Sequence, residues 1–350
     1  MQKGITEKTV TTGRLTISYL EAGDPNDQPL LLIHGNISSN LFWPDTMQAL
    51  ADKYWVIAPD LRGYGKTEAK PIDATRGVRD WSDDLLSLVE TLQIVRPIHL
   101  AGWSLGGGII MQYALDNPGK VASLILINPI SPYGFGGTKD VLGTPCNASY
   151  SGSGGGGVNP ELIKLLQERY RGSDNPNSPR NVLNTLYFKP PFRVSPELEE
   201  VFLDSMFSTR IGEDFYPGDF TACEEWPGVA PGVKGINNAF SPKYMNTSAI
   251  ADLNPKVPIL WIRGSHDAIV ADQTLLCFGY LGKYGFVPGW PGEEAYPPQP
   301  MVSQTRYVLD KYRENGGMYE EFVVEDAGHS PHIEKSEIVR NKIRSFLDSI

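Results

Sequence analysis

A serine stands among four glycines in the stretch HLAGWSLGGGIIMQYA, residues 99–114. Glycine loses more backbone freedom on folding than other residues, so such a cluster marks a place where a Cβ cannot be accommodated. Gly102-Trp103-Ser104-Leu105-Gly106 matches G-x-S-x-G, in which small residues flank a strained turn that raises a serine hydroxyl above a sheet. A turn without chemistry is the alternative, whereas the glycine-rich phosphate-binding patterns are absent.

A serine is a weak nucleophile until a base removes its proton and a third group orients that base. The chain has five histidines: His34, His99, His266, His329 and His332. The first two fall in or beside predicted strands before the serine, which favours structural roles. In DAGHSPHIEK, His329 and His332 are both possible bases. The possible orienting carboxylates are Asp267, in RGSHDAIV, and Asp272.

The elements that must position these groups alternate between short apolar strands and helical patterns. The predicted strands are RLTISYLEA, PLLLIHG, YWVIAPD, PIHLAG, VASLILINP, VPILWIRG and YEEFVVEDAG. Apolar strands separated by helices predict an α/β fold with a mostly parallel sheet covered on both faces. Ser104, Asp267 and His329 each follow a predicted strand, and the carboxyl ends of parallel strands meet at one edge. We therefore expect these three side chains to converge.

An insertion interrupts this pattern. Residues 1–130 and 257–350 are predicted to form one core, and the insertion, residues 131–256, is rich in Gly, Pro, Asn and aromatic residues. Its segment SGSGGGG, residues 151–157, is predicted to be flexible. A second long loop is predicted over 272–300, and structureless stretches of this length usually form lids or walls.

Composition excludes several classes of function. Acidic residues outnumber basic ones by 41 to 31, and no Lys/Arg cluster exceeds a pair, which argues against nucleic-acid and membrane partners. Three distant cysteines without CxxC spacing suggest neither a zinc site nor a disulfide framework. The N-terminal residues lack the apolar run of a signal peptide, so we expect a cytoplasmic protein, either a monomer or a homodimer.

Five motifs in order make the chain similar to the α/β-hydrolases of the single-chain esterase, epoxide hydrolase and haloalkane dehalogenase type. They are IHGN at 33–36, DLRGYGKT at 60–67, GWSLGG at 102–107, GSHDAIV at 264–270 and DAGHSPHIE at 326–334. The resemblance covers roughly residues 10–130 and 255–350, and it leaves the insertion without a matching motif.

The resemblance implies an α/β-hydrolase fold in which the insertion is a cap, with no metal or organic cofactor. Ser104 would be the nucleophile, His329 the base and Asp267 the group that orients the imidazole. The family places the base directly after the glycine, which favours His329 over His332. The backbone N–H groups of Asn36 and Leu105 would form the oxyanion hole.

A serine nucleophile disfavours the dehalogenases and epoxide hydrolases, which attack with aspartate. The resemblance then implies hydrolysis of a carboxylic ester, lactone or thioester through an acyl-enzyme. C–C bond hydrolysis of ring-cleavage products, cofactor-free perhydrolysis and non-catalytic ligand sensing remain alternatives. Trp103, which precedes Ser104, and the aromatic residues of the insertion, including Tyr133 and Phe135, predict a pocket for a largely apolar small molecule.

Overall fold

The structure is a computed structural model that describes residues 4–350; the signal-peptide prediction also rests on residues 1–3, which lie outside that range. Within it, the central sheet contains eight strands: β1 (Thr6–Thr11), β2 (Thr16–Ala22), β3 (Gln28–Ile33), β4 (Tyr54–Pro59), β5 (Ile98–Trp103), β6 (Val121–Ile127), β7 (Ile259–Gly264) and β8 (Tyr319–Val324).

The strand order is β1-β2-β4-β3-β5-β6-β7-β8. β1 pairs with β2, and β2 with β4, in antiparallel fashion, while every other pairing is parallel. The predicted α/β architecture with a mostly parallel sheet is therefore confirmed. Sequence analysis missed β1, whose residues TEKTVT are mostly exposed and carry no apolar run because the strand lies at the sheet edge.

Helices flank the sheet and continue through the insertion. The longer ones are α1 (Pro44–Leu50), α2 (Arg79–Thr91), α3 (Leu105–Asp116), α4 (Pro160–Gln167), α5 (Pro196–Phe207), α6 (Phe278–Lys283), α7 (Met301–Glu314) and α8 (Ser336–Leu347). Short helical turns cover Asn40–Phe42, Ala74–Arg76, Gly155–Gly157, Pro179–Val182, Leu183–Tyr187, Ile236–Ala239, Ser248–Asp252 and Pro331–Glu334. Among residues 4–350, no helix has both the length and the apolar character needed to cross a membrane.

The helix that follows the candidate nucleophile is buried along most of its length. α3 has the sequence LGGGIIMQYALD, and its residues from Leu105 to Ala114 are all buried. A helix that is apolar on every side belongs in a protein interior. The start of α3 is consequently held firmly against the sheet.

The insertion lies between β6 and β7 and carries α4 and α5. It also contains two small two-stranded sheets: Ile211–Gly212 with Tyr216–Pro217, and Phe220–Ala222 with Val229–Pro231. Two hydroxyls, Ser39 Oγ on the core and Ser205 Oγ on α5, share a hydrogen bond of 2.7 Å. The insertion is thus bonded directly to the loop that follows β3.

The prediction that residues 151–157 form a flexible segment is wrong. Ser151 Oγ donates to the carbonyl of Trp226 at 2.6 Å, and the hydroxyl of Tyr296 donates to the carbonyl of Ser151 at 2.6 Å. A Cβ on Gly152 would overlap that tyrosine hydroxyl. Glycine and serine serve here to allow close approach between segments, a use that composition alone does not distinguish from a linker.

The second predicted loop, residues 272–300, is also more ordered than expected. It contains α6, and its Tyr296 ring packs edge-on against Trp226 of the insertion, with centroids 4.8 Å apart. Phe278 contacts the same indole at 6.1 Å. This segment therefore supports the insertion from one side.

Candidate active site

Ser104 occupies a strained turn between β5 and α3. Its backbone has φ 57° and ψ −119°, an uncommon conformation for a residue with a side chain. Three backbone hydrogen bonds maintain it. The Ser104 N–H donates to Ile127 at 2.9 Å, and its carbonyl accepts from Gly107 at 2.9 Å and Ile130 at 3.1 Å.

The glycines around the turn are required by close backbone contacts. A Cβ on Gly102 would overlap the carbonyl oxygen of Gly106. A Cβ on Gly106 would overlap the carbonyl oxygen of Ile33 and lie 2.7 Å from that of His34. The turn after β5 therefore packs directly on the end of β3 and the loop that follows it.

Asp267 and His329 meet beyond the ends of β7 and β8. The Nδ1 atom of His329 lies 3.0 Å from Oδ1 and 2.9 Å from Oδ2 of Asp267, and both side chains are buried. Asp267 Oδ1 also accepts the N–H groups of Ile269 at 2.8 Å and Val270 at 3.0 Å. Because a carboxylate only accepts, this contact assigns the imidazole proton to Nδ1 and leaves Nε2 able to act as a base.

The main chain of His329 is anchored from two other strands. Its carbonyl accepts the indole N–H of Trp103 at 2.8 Å and the side-chain amide of Asn128 at 2.8 Å. The Asn128 amide also donates to Gly328 at 3.0 Å, while its Oδ1 accepts the N–H of Gly264 at 2.9 Å. Asn128 thus ties the end of β6 to the end of β7 and to the histidine loop.

Sequence reasoning missed this role of Asn128. A buried polar residue at the carboxyl end of an apolar strand was the available signal, since such groups require hydrogen-bond partners. The identity of those partners depends on which loops lie next to β6.

The structure brings Asp267 and His329 into contact and places Ser104 on the turn after β5, at the same edge of the sheet. The ring of Trp103, which precedes Ser104, lies 5.5 Å from the His329 ring. Among residues 4–350 the Ser104 hydroxyl makes no hydrogen bond, so its link to the imidazole stays a prediction. Catalytic hydrogen bonds are often long in free enzymes and tighten when substrate binds.

Asn36 and Leu105 are the residues predicted to form the oxyanion hole. Leu105 is the first residue of α3, so its N–H has no acceptor within the helix. Neither this N–H nor that of Asn36 donates to a group in the described part of the chain. Two backbone N–H groups that have no acceptor can bind the negatively charged oxygen of a tetrahedral intermediate.

Two tyrosine hydroxyls hold the Asn36 turn. The Asn36 Oδ1 atom accepts the hydroxyl of Tyr64 at 2.7 Å and the N–H of Ile37 at 3.0 Å. The Asn36 carbonyl accepts the hydroxyl of Tyr187, from the insertion, at 2.8 Å. Core and insertion therefore both fix the orientation of this peptide.

The two early histidines are structural. His34 lies beneath the Asn36 turn, with Nδ1 2.8 Å from the carbonyl of Gly35 and Nε2 accepting the N–H of Leu61 at 3.0 Å. His99 contacts Ser123 Oγ at 2.8 Å. Burial lowers the pKa of each imidazole to about 4, so both are neutral hydrogen-bonding groups at neutral pH.

The alternative base and acid form no hydrogen bond with the Asp267–His329 pair in the described part of the chain. His332 is buried against Trp103, with ring centroids 5.1 Å apart, and within residues 4–350 neither of its nitrogens has a hydrogen-bond partner. Asp272 instead caps α7, accepting the N–H groups of Val302 at 2.8 Å and Ser303 at 3.0 Å. Within residues 4–350, neither His332 nor Asp272 therefore forms a carboxylate–imidazole pair.

The predicted substrate-binding residues occupy different surroundings. Trp103 is buried, and besides holding the His329 carbonyl it packs against Phe42 at 5.1 Å. Phe135 packs edge-on against Phe240 at 6.5 Å, and the Tyr133 N–H donates to Ser131 Oγ at 3.1 Å. The structure gives Trp103 a supporting position, while substrate contact by all three residues stays a prediction.

Metal ligation has no evident site in the part of the chain that is described. No group of three or more His, Cys, Asp or Glu side chains there could hold a metal ion. Cys146, Cys223 and Cys277 are free thiols.

Known proteins resemble this chain in sequence over part of its length and in fold over nearly all of it. A fluoroacetate dehalogenase of Burkholderia sp. is 34% identical over 136 residues, 38% of this chain and 44% of that protein. Lipase 3 of Moraxella sp. is 26% identical over 195 residues, 55% of this chain and 54% of that protein. The chain thus aligns with about half the length of these curated relatives.

Similarity of fold extends further than similarity of sequence. The crystal structure of the esterase RhEst1 from Rhodococcus sp. ECU1013 superposes with a TM-score of 0.61 over 99% of both chains, at 19% identity. The model of the alpha/beta hydrolase family matches residues 30–341, which include the Ser104 turn, Asp267 and His329. The chain therefore belongs to the alpha/beta hydrolase family.

Proposed function

We propose that this chain is a serine hydrolase that cleaves a carboxylic ester of a largely apolar small molecule through an acyl-enzyme. Lactones and thioesters present the same electrophilic acyl carbon and belong to the same substrate class. The observation that carries the proposal is the bonding of Asp267 to Nδ1 of His329 at the sheet edge where the Ser104 turn stands. Ser104 is assigned as nucleophile, His329 as base and Asp267 as the orienting carboxylate.

The proposed reaction proceeds in two acyl transfers. Ser104 Oγ attacks the acyl carbon while its proton passes to Nε2 of His329, and Asp267 stabilises the resulting imidazolium. The N–H groups of Asn36 and Leu105 receive the negative charge of the tetrahedral intermediate. Its collapse expels the alcohol, which takes the proton from Nε2.

Water completes the cycle by the same route. His329 removes a proton from a water molecule, which attacks the acyl carbon bound to Ser104. The second tetrahedral intermediate releases the carboxylic acid, and the imidazolium returns its proton to Ser104 Oγ. No external oxidant, reductant or cofactor enters the balance.

The surroundings of His329 support an apolar substrate. The Trp103 and Tyr187 rings lie 5.5 Å and 6.1 Å from the imidazole ring. Phe42 stacks on both Trp103, at 5.1 Å, and Phe202, at 4.2 Å. We infer that the insertion acts as a cap whose aromatic side chains select apolar groups.

The relatives support hydrolysis, and Ser104 selects the mechanism among them. An aspartate nucleophile would form an alkyl ester with a halogenated substrate, whereas a serine nucleophile forms an ester with an acyl group. The lipase relative and the esterase neighbour agree with acyl transfer to water.

The nucleophile is tested with p-nitrophenyl butyrate. Ser104→Ala should lower kcat by more than about 10⁴-fold, since removal of the nucleophile disables the whole triad. The matched control, Ser349→Ala at an exposed position, should retain full activity. A fluorophosphonate should label Ser104 in the wild-type chain, as located by peptide mass spectrometry. Turnover that survives in Ser104→Ala would disprove the assignment.

A substrate panel tests the bond type. Esters of increasing acyl length, a lactone, a thioester and a ring-cleavage diketone are compared by kcat/KM. We expect the esters to be hydrolysed with a higher kcat/KM than the diketone, because a serine nucleophile forms an ester with an acyl group. Preference for the diketone would indicate C–C hydrolysis, and tight binding without turnover would indicate a ligand sensor.

A further inference from the structure

Glu334 is a buried carboxylate for which the proposed reaction has no direct use. It ends the short helix Pro331–Glu334, five residues after His329, and is 8% exposed. Among residues 4–350 no basic side chain forms an ion pair with it. A buried charge without a counterion must be compensated by hydrogen bonds, so its partners show what it holds.

Three backbone N–H groups supply that compensation. Glu334 Oε1 accepts from Gly328 at 2.9 Å and from Ser330 at 3.3 Å, the residues on either side of His329. Glu334 Oε2 accepts from Lys189 of the insertion at 2.8 Å. One side chain therefore joins the N–H groups of both residues next to His329 to a segment that is more than 130 positions away in the sequence.

The contact between these segments is close. A Cβ on Gly328 would lie 2.7 Å from the Lys189 nitrogen and 3.1 Å from Glu334 Oε1. The Lys189 ammonium donates to Asp326 Oδ1 at 2.6 Å, which adds a second bond to the same loop. Two positions earlier, the Tyr187 hydroxyl bonds the Asn36 carbonyl. Residues 187–189 thus connect the histidine loop with the predicted oxyanion turn.

We propose that Glu334 is a positioning residue that fixes the main chain of His329 against residues 187–189 of the insertion. The inference rests on the proposed function, because it takes His329 to be the base. Asp267 orients the imidazole ring, whereas Glu334 fixes the position of the main chain that carries His329. The contact between the insertion and the histidine loop and the position of the base therefore both depend on one carboxylate.

The test compares Glu334→Gln with Glu337→Gln, a matched change at an exposed position on α8. A glutamine offers one oxygen, so it can accept either from Lys189 or from the histidine loop, but not from both. We expect kcat for p-nitrophenyl butyrate to fall roughly 10- to 100-fold with KM changed less than about twofold, the signature of a misplaced base. Glu337→Gln should match the wild type.

A spectroscopic measurement separates this inference from the proposed function. The proton between His329 Nδ1 and Asp267 gives a low-field proton NMR signal that does not depend on turnover. This signal should shift or broaden in Glu334→Gln and stay unchanged in Glu337→Gln. If Ser104→Ala retains activity, the proposed function fails, and the NMR signal alone still decides the role of Glu334.

Two results would overturn the inference. The first is a folded Glu334→Gln variant with wild-type kcat, in a chain that Ser104→Ala inactivates. The second is an unchanged low-field signal. If the glutamine variant does not fold, Glu334→Asp replaces it, because it keeps the charge but shortens the reach by one methylene. Wild-type kcat in that variant would equally contradict the proposal, and a loss of kcat at constant KM would support it.

Discussion

The carboxylate of Asp267 lies 2.9 Å from the Nδ1 atom of His329, although 62 positions of sequence separate the two residues. Both are buried, and the carboxylate is fixed by two further backbone N–H groups. This arrangement leaves a single ring nitrogen available for proton transfer.

Asp267→Asn should abolish the orientation of the imidazole without removing the base. The amide can donate to Nδ1, which favours the wrong tautomer, so kcat for p-nitrophenyl butyrate should fall by about 10⁴-fold. Asp272→Asn is the matched control, because Asp272 caps α7 and makes no contact with His329. Equal losses in the two variants would contradict the assignment of Asp267.

Gly106→Ala should damage both stability and activity. Its Cβ would overlap the Ile33 carbonyl oxygen, so the Ser104 turn and the loop after β3 must move apart. We expect a loss of about 3 kcal/mol in the free energy of unfolding, measured by urea denaturation, and a large fall in kcat. Gly13→Ala, where the nearest atom lies 3.8 Å away, should leave both unchanged.

Asn128→Asp should destabilise the fold at neutral pH. The substitution places a carboxylate against the carbonyl oxygens of Gly328 and His329. In the wild-type chain these oxygens accept the hydrogens of the Asn128 amide. An uncompensated buried charge costs roughly 3–5 kcal/mol, and the displaced histidine loop should lower kcat as well. Asn341→Asp on the exposed face of α8 is the control. A loss below 1 kcal/mol would show that the network tolerates the charge.

Tyr187→Phe tests whether the insertion orients the predicted oxyanion hole. The change removes only the hydroxyl that bonds the Asn36 carbonyl, so kcat should fall roughly tenfold or more, with a smaller change in KM. Tyr113→Phe is a matched control, because the Tyr113 hydroxyl is buried without a partner among the described residues. Identical kcat values for the two variants would remove Tyr187 from the catalytic arrangement.

His332 should make the protein sensitive to acid. Burial, with a smaller contribution from His329, lowers the pKa of its imidazole to about 3, below the ordinary 6.5 of an unfolded chain. The unfolded state therefore binds the extra proton, and stability falls as the pH drops from 6.5 towards 3, by about 1.4 kcal/mol per pH unit.

His332→Phe should remove this contribution while keeping an aromatic ring against Trp43 and Trp103. The free energy of unfolding, followed by urea denaturation between pH 7 and 4.5, should then fall less steeply than in the wild type. His266→Gln, at an exposed histidine, should leave the slope unchanged. An identical slope in His332→Phe would mean that His332 takes up its proton equally in the folded and unfolded states.

Much of the fold and several features of the site follow from local sequence. The apolar strands predicted the parallel part of the sheet, and the glycines around Ser104 predicted a strained turn at the end of β5. These inferences succeed because buried strands require apolar residues and a tight, strained turn requires glycine beside it. The edge strand β1 has no such requirement, since only one neighbour and little burial constrain it.

The sequence by itself determined the fold class and the strand ends that carry Ser104, Asp267 and His329. Only the tertiary structure decided that Asp267 rather than Asp272 meets His329, that residues 151–157 are packed, and that Glu334 and Asn128 hold the histidine loop. The physical reason is the range of the interactions. Strand and turn preferences act between neighbours in the chain, whereas hydrogen bonds between loops depend on which strand ends the sheet order places side by side.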